Sequence, residues 1–277
     1  MSLAAAYIVP HPPLAVAEVG RGEEREISAT LKGYGEVAKR IAAHKPDTVL
    51  FISPHSAYYG DWIYVAVGEG ARGDFGQFGV SRVGFSLTYD VAFRDAVIAA
   101  AEAAGIPAGC VSNRPRELDH GVLVPLYFIE KEVPASSYGA VSMGGSGLPN
   151  DDLLAFGRCL AQVAAEREGT TVLVASGDLS HKLKADGPYG FDPAGPVFDD
   201  AFGDVVRSGR PLGFAEIDPE ISEAAADCGL SGFIMMAGAL DETERLDGVR
   251  FTSELLSLEG PFGVGYGVAA FEGKEGK

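Results

Sequence analysis

The sequence predicts an α/β protein whose central mixed β-sheet is flanked by helices on both faces. Apolar segments of strand length alternate with helical patterns along nearly all of the 277 residues. Several of these strands, 47–55 and 170–178 among them, contain an uninterrupted apolar run (VLFI and VLVA), as is typical of strands that are covered on both faces. We therefore expect one domain over residues 1–272, followed by a polar tail over residues 273–277.

Each predicted element has a local sequence signal. Apolar or β-branched runs predict strands at 5–10, 47–55, 61–68, 83–90, 138–145, 170–178 and 263–271. Apolar residues at helical spacing and glycine stop signals predict helices at 22–44, 91–104, 123–133 (after Pro125), 150–168, 195–208 and 219–242, the last with a break near Cys228 and Gly229. The glycine-rich segment GDFGQFG at 73–79 is expected to form a mobile flap that could lie over the site.

Charge and composition exclude some classes of function. The chain carries 39 acidic and 22 basic residues, a net charge of −17, which argues against nucleic acid as a general partner. No apolar run reaches the roughly 18–20 residues that a membrane span needs, and no signal peptide is evident. The three cysteines are far apart in sequence and form no CxxC pair, as expected for a reducing cytoplasm.

Two of the five histidines end predicted strands in the same way. His11 in VPHPP and His55 in SPHS each follow a strand and a proline, so a stiff, non-helical turn presents each imidazole. The carboxyl ends of strands are where α/β sheets bind ligands, so these two imidazoles could share a metal ion. His44 lies near the end of a helix and is interpreted as a C-terminal cap.

Two further histidines are candidates for chemistry. His181 closes the segment SGDLSH after a third strand, and imidazole is suited to acid/base work near neutral pH. His120, in ELDHG, could contact a substrate oxygen or simply begin a helix. A metal site with two histidines usually needs a third ligand, and PEISEAAADCGLSGF offers Glu223, Asp227 and Cys228, among which the spacing does not choose.

The order of these motifs resembles that of the LigB-like superfamily, which contains class III extradiol dioxygenases and Memo-like proteins. The resemblance extends over residues 5–271 and includes the segments VPHPP, ISPHS, ELDHG, SGDLSH, DCGLSGF and GPFGVGYG. The sequence is most similar to members associated with the AmmeMemoRadiSam system. Homodimers are common in this superfamily, so the resemblance also makes a homodimer an expectation.

The resemblance implies a role for each candidate residue. It makes His11 and His55 metal ligands, His181 the catalytic acid/base and His120 a catalytic residue that contacts substrate. The dioxygenases place glutamate at the third ligand position, whereas alignment of DCGLSGF places Cys228 there, as in Memo-like proteins. A thiolate also suits zinc or copper, although iron(II) is the metal that the dioxygenase resemblance implies.

The leading hypothesis is therefore a metal-dependent oxidoreductase that cleaves a dihydroxylated aromatic with O₂. Cys228 favours a first alternative, a Memo-like metal or redox protein without dioxygenase activity. A second alternative is a zinc hydrolase that uses the same pocket, with His181 or Asp178 as the base that activates water.

Overall fold

The centre of the protein is a six-stranded sheet, seen in a computed structural model that describes residues 3–112 and 116–274. The end of the predicted tail, residues 275–277, lies outside the described residues, while Gly273 and Lys274 still pair in the last strand. The strands are β1 (Leu3–Val9), β2 (Thr48–Ser53), β3 (Ile63–Tyr64), β4 (Gly70–Phe75), β5 (Val80–Thr88), β6 (Ala108–Gly109), β7 (Gly139–Gly144), β8 (Thr171–Ser176), β9 (Arg250–Glu259) and β10 (Tyr266–Lys274).

Helices cover the sheet, and most of them match the predicted helices within a few residues. They are α1 (Ala17–Gly20), α2 (Ser28–His44), α3 (Val91–Ala103), α4 (His120–Ile129), α5 (Asn150–Glu166), α6 (Ala194–Ser208), α7 (Pro219–Ala225) and α8 (Leu230–Asp247). The predicted break near Cys228 and Gly229 is confirmed, because α7 ends and α8 begins on either side of it. None of the helices in the described part of the chain is both long and apolar enough to cross a bilayer.

The strand order is β7-β2-β8-β1-β10-β9, and the sheet is mixed as predicted. The first four strands run parallel to one another, whereas β10 is antiparallel to both β1 and β9. Parallel strands place their carboxyl ends at one edge of the sheet, and in open α/β sheets this edge binds ligands. The residues that follow β1, β2 and β8 are therefore brought to one place.

The side chains of β1 show how the two faces of the sheet are used. Ala6 and Ile8 pack into the apolar layer formed with α3, α5, α6 and α8, whereas Tyr7 and Val9 pack into the layer formed with α2 and α4. This alternation follows from the two-residue period of a strand. The prediction of an α/β sheet covered on both faces is confirmed.

The segment 73–79 is the end of β4 and the turn of a hairpin with β5, and its mobility stays a prediction. Three other local predictions need correction. The helix predicted after Pro125 begins at His120, because Asp119 caps its first turn through the backbone of Gly121. The run 61–68 contributes only β3, and the exposed edge strand β9 was not predicted.

Candidate metal centre

Side chains from four separate parts of the chain meet at the carboxyl edge of the sheet. His11 follows β1, His55 follows β2, His120 begins α4, and Cys228 lies between α7 and α8. The Nε2 atoms of His11 and His55 are 2.9 Å apart, and Sγ of Cys228 is 3.6 Å from Nε2 of His11. One ligand atom from each of the three histidines lies within 4.8 Å of the other two. The cluster therefore brings together imidazole and thiol donors suited to a metal ion.

His11 is the most firmly held member of the cluster. The Tyr34 hydroxyl donates to the carbonyl of Pro10, and the backbone N–H of His11 donates to Oδ1 of Asp178 at 2.8 Å. On the ring, Nδ1 lies 3.0 Å from Oγ of Ser176, the last residue of β8. Donation from Nδ1–H to this hydroxyl leaves Nε2 as the acceptor that faces His55.

His55 and His120 share supporting contacts around Asp119. The Ser53 hydroxyl donates to Oδ1 of Asp119 at 2.5 Å, and the backbone N–H of His55 donates to the Ser53 oxygen at 3.2 Å. Asp119 therefore caps α4 and also helps to fix the turn that carries His55. The rings of His55 and His120 stack with centroids 4.0 Å apart, and Phe78 meets His120 edge to face at 5.5 Å.

Burial keeps the three imidazoles neutral. It lowers the pKa of His11, and the positive charge that His55 and His181 would carry lowers that pKa further. Burial also lowers the pKa of His55, and burial together with His55 and His11 lowers the pKa of His120 to about 3. Neutral imidazoles keep the lone pairs that bind metal, so the electrostatics of the cluster fit a cation better than protons.

The distances between donor atoms also fit one ion. Two nitrogens that are each about 2.1 Å from a metal lie about 3 Å apart when they meet near a right angle, which matches the pair His11 and His55. A sulfur at about 2.3 Å and a nitrogen at about 2.1 Å lie about 3.6 Å apart at a tetrahedral angle, which matches Cys228 and His11. These two separations are the evidence that the donor atoms fit a single metal ion.

The other acidic candidates lie beside the cluster. Both oxygens of Asp227 accept hydrogen bonds, one from the Ser222 hydroxyl and one from the backbone of Leu230. Glu223 is exposed and lines a cleft next to Cys228. Asp178, in contrast, contacts the cluster directly, since its Oδ2 lies 3.9 Å from Nε2 of His11 and burial raises the pKa of its carboxyl to about 6.

His181 lies close enough to lower the pKa of both His11 and His55. Its backbone N–H donates to the carbonyl of Ala225, while its Nδ1 is buried and has no hydrogen-bond partner among the residues that the structure describes. The ring of Tyr189, itself 61% exposed, meets the His181 ring edge to face at 5.0 Å. The site therefore holds one imidazole whose polar atom is unsatisfied.

The structure adds two residues that were not predicted to contribute to the site, Ser176 and Tyr189, and it identifies Phe78 as the residue of the predicted flap that reaches the site. Ser176 is the partner of His11, Phe78 packs against His120, and Tyr189 packs against His181. The sequence could have indicated Ser176 as a site residue, because it ends the same strand that leads to His181. The two aromatic residues stand in glycine-rich stretches, GQFG and GPYGF, and nothing in those stretches indicates which histidine each would meet.

A mixed α/β sheet with imidazole and thiol donors at its carboxyl edge defines a class of protein suited to hold a single metal ion. The chain belongs to the family described as the catalytic LigB subunit of aromatic ring-opening dioxygenase, which matches residues 5–269. The fold is also that of the crystal structure of uncharacterized protein JW3007 from Escherichia coli K12. That similarity has a TM-score of 0.60 at 14% identity and covers 98% of this chain and 100% of the other.

A curated relative is protein CA_C1420 of Clostridium acetobutylicum, which is 36% identical over 279 residues. The alignment covers 98% of this chain and 58% of that protein. The chain thus spans a little more than half the length of this relative.

Proposed function

We propose that the protein is a non-haem, metal-dependent oxidoreductase that opens a dihydroxylated aromatic ring with O₂. The observation that carries the proposal is the meeting of His11, His55 and Cys228 at the sheet edge, with two donor separations that fit one ion. Membership of the LigB family supports the reaction class. Iron(II), the metal proposed here, would supply open positions at which the substrate oxygens and O₂ come together.

In this proposal His11 and His55 hold the metal and Cys228 completes the ligand set. The resemblance to Memo-like proteins favours Cys228 as the third ligand, and its sulfur lies 3.6 Å from Nε2 of His11. His120 is the alternative third ligand, because its ligand atom lies within 4.8 Å of those of His11 and His55. We assign the third position to Cys228 and give His120 a different role. His120 is then free to donate a hydrogen bond to a substrate oxygen.

His181 has the role of acid and base. It takes the proton of a substrate hydroxyl, because its Nδ1 is a buried polar atom without a partner among the described residues. Tyr189 packs against His181 and Phe78 packs against His120, and these two contacts limit the access of water to the two imidazole rings.

The proposal is tested by O₂ uptake with iron(II)-loaded protein and a panel of catechols. We expect one O₂ to be consumed per catechol, with loss of the aromatic absorbance. His181→Ala should lower kcat by about 100-fold or more, since a positioned acid/base contributes roughly that factor, while iron content stays unchanged. Absence of O₂ uptake with every catechol would remove ring cleavage as the function.

Cys228 also favours a second candidate, a metal or redox protein without ring cleavage. Its sulfur contacts His11 at 3.6 Å and lines an open cleft, so a thiolate ligand there would be accessible to oxidants. Metal analysis after loading distinguishes the ligand sets. Cys228→Ala should lose most of the bound metal and His120→Ala should retain it, while the matched controls Cys159→Ala and His44→Ala, both outside the cluster, should bind as the wild type does.

A further inference from the structure

A cleft of about 600 Å³ opens directly beside the candidate metal centre. Its wall includes Pro54, which precedes His55, and Cys228, whose sulfur lies 3.6 Å from Nε2 of His11. Among the described lining residues of this cleft there is no histidine, so Cys228 is the proposed ligand that the cleft exposes. A second cavity, lined by Leu14 and Tyr266, contains neither Cys228 nor a histidine of the cluster. A substrate in the first cleft would therefore approach the metal from the side of the Cys228 thiol.

The charged side chains that line this cleft are acidic. Among its described lining residues there are two carboxylates, Glu223 and Asp227, and neither lysine nor arginine. A substrate that carries a carboxylate would meet these side chains with no cation to pair it. A substrate that carries an ammonium group would gain from the same two carboxylates.

An aromatic ring in the cleft also favours a positively charged ligand. Tyr58 lines the cleft and is 56% exposed. Its ring lies alongside Gly145, where an added Cβ would be 3.5 Å from the ring carbon Cδ2. Tyr58 thus lines the same cleft as Glu223 and Asp227. An exposed aromatic ring and carboxylates in one cleft are a combination that recognises organic ammonium ions.

Apolar side chains also line the cleft. Leu148, Leu153 and Ile234 are among them, and they suit the hydrocarbon part of an aromatic substrate. The cleft thus offers carboxylates to an amine and apolar side chains to a ring.

We infer that the substrate of this site is an aromatic compound that carries an amine, and that the cleft selects it over the corresponding carboxylate through Glu223, Asp227 and Tyr58. The inference rests on the proposed function for the position of the reacting ring. The selection by charge concerns the cleft alone and is testable separately.

The first experiment measures binding without chelation or turnover. Zinc-loaded protein, which is diamagnetic, is titrated with 2-phenylethylammonium and with 3-phenylpropionate, and NMR gives both affinities. We expect the ammonium compound to bind about 10-fold more tightly at low salt, from one partly exposed ion pair and one cation–π contact. Glu223→Gln and Tyr58→Leu should each reduce the preference about threefold, and 0.5 M salt should weaken it. The matched control Glu26→Gln, which is exposed on the segment before α2, should leave it unchanged.

Equal binding of the two compounds, tighter binding of the carboxylate, or a preference that survives both cleft variants would overturn the inference. The second experiment compares O₂ uptake by iron(II)-loaded protein with dopamine, 4-ethylcatechol and 3-(3,4-dihydroxyphenyl)propionate. If ring cleavage occurs, kcat/KM should fall in that order. If no catechol is consumed while the ammonium preference holds in the first experiment, the ring-cleavage proposal fails and the cleft assignment stands.

Discussion

At the residue scale, His11 is held by contacts that leave one of its nitrogens directed at the cluster. Its backbone is fixed by Asp178 and its Nδ1 is paired with Ser176, so Nε2 points toward His55 and Cys228. A proline on either side restricts the backbone further. Preorganisation of this kind lowers the entropy cost of binding an ion.

Ser176→Ala should therefore weaken metal binding without unfolding the protein. Loss of the hydroxyl removes the partner that fixes the tautomer of His11, and outer partners of this type are worth about 10- to 100-fold in metal affinity. Competition with a metal chelator measures the affinity. Ser257→Ala is the matched control, because Ser257 is also buried and its hydroxyl has no partner among the described residues. An unchanged affinity in Ser176→Ala would show that the tautomer is fixed by something else.

At the element scale, helices α5 and α8 approach each other through glycines. A Cβ on Gly157 would lie 1.9 Å from the carbonyl oxygen of Met235, and one on Gly238 would lie 2.2 Å from that of Leu154. The backbones therefore meet where any side chain would separate them. Because Cys228 stands just before α8, the position of this helix sets how near the thiol comes to His11.

Gly157→Ala should lower the free energy of unfolding by roughly 2 kcal/mol or more, because backbone atoms cannot move aside as a flexible side chain would. Gly35→Ala is a control that should change the free energy of unfolding in the opposite direction. Gly35 lies in helix α2, and an added Cβ there would meet no atom within 4 Å, so alanine should stabilise the protein by about 0.5–1 kcal/mol. Urea denaturation measures both, and a Gly157→Ala protein as stable as the wild type would contradict the close approach.

The sequence allowed most of the α/β elements to be predicted because the buried strands and amphipathic helices carry strong periodic patterns. The misses have physical reasons. Strand β9 is an edge strand with only one buried residue, Ser257, so it lacks the continuous apolar run of β2 and β8. Helix α4 contains Pro125 inside it, which reads as a boundary although the helix continues through it.

The histidines of the site could be predicted for a different reason. His11, His55 and His181 each follow a strand, and the carboxyl ends of parallel strands share one edge. Which donor joins the first two depends on the packing of α8 against α5 and on the turn before α4. The spacing of residues along the chain encodes neither of these features, so the third ligand could not be chosen from the sequence. Cys228 as the third ligand stays a prediction.

At the scale of the whole molecule, pH should affect stability through Asp199. Burial raises the pKa of its carboxyl to about 7, even though it accepts a hydrogen bond from the backbone of Ser180. A raised pKa means that the folded state binds the proton more tightly than the unfolded state. The resulting stabilisation is complete below about pH 4 and is lost as pH rises through about 7.

Asp199→Asn should remove that part of the pH dependence. Between pH 5 and pH 8 the wild type should lose roughly 3 kcal/mol more unfolding free energy than the variant, since about 2 pH units of differential protonation lie in that window. Urea denaturation of metal-free protein at several pH values gives both curves. Parallel curves for the two proteins would mean that Asp199 ionises in the folded state as easily as in the unfolded one.

Strand β1 has a consequence for the order in which the protein is made. It lies between β8 and β10, so its partners come from residues 171–176 and 266–274. During synthesis β1 leaves the ribosome before both of its partners, and its second edge stays uncovered until β10 has followed. The sheet, and the histidine that β1 delivers, is thus assembled only after translation of the segment that contains β10, and until then the nascent chain presents an apolar strand with open edges to chaperones and to other nascent chains.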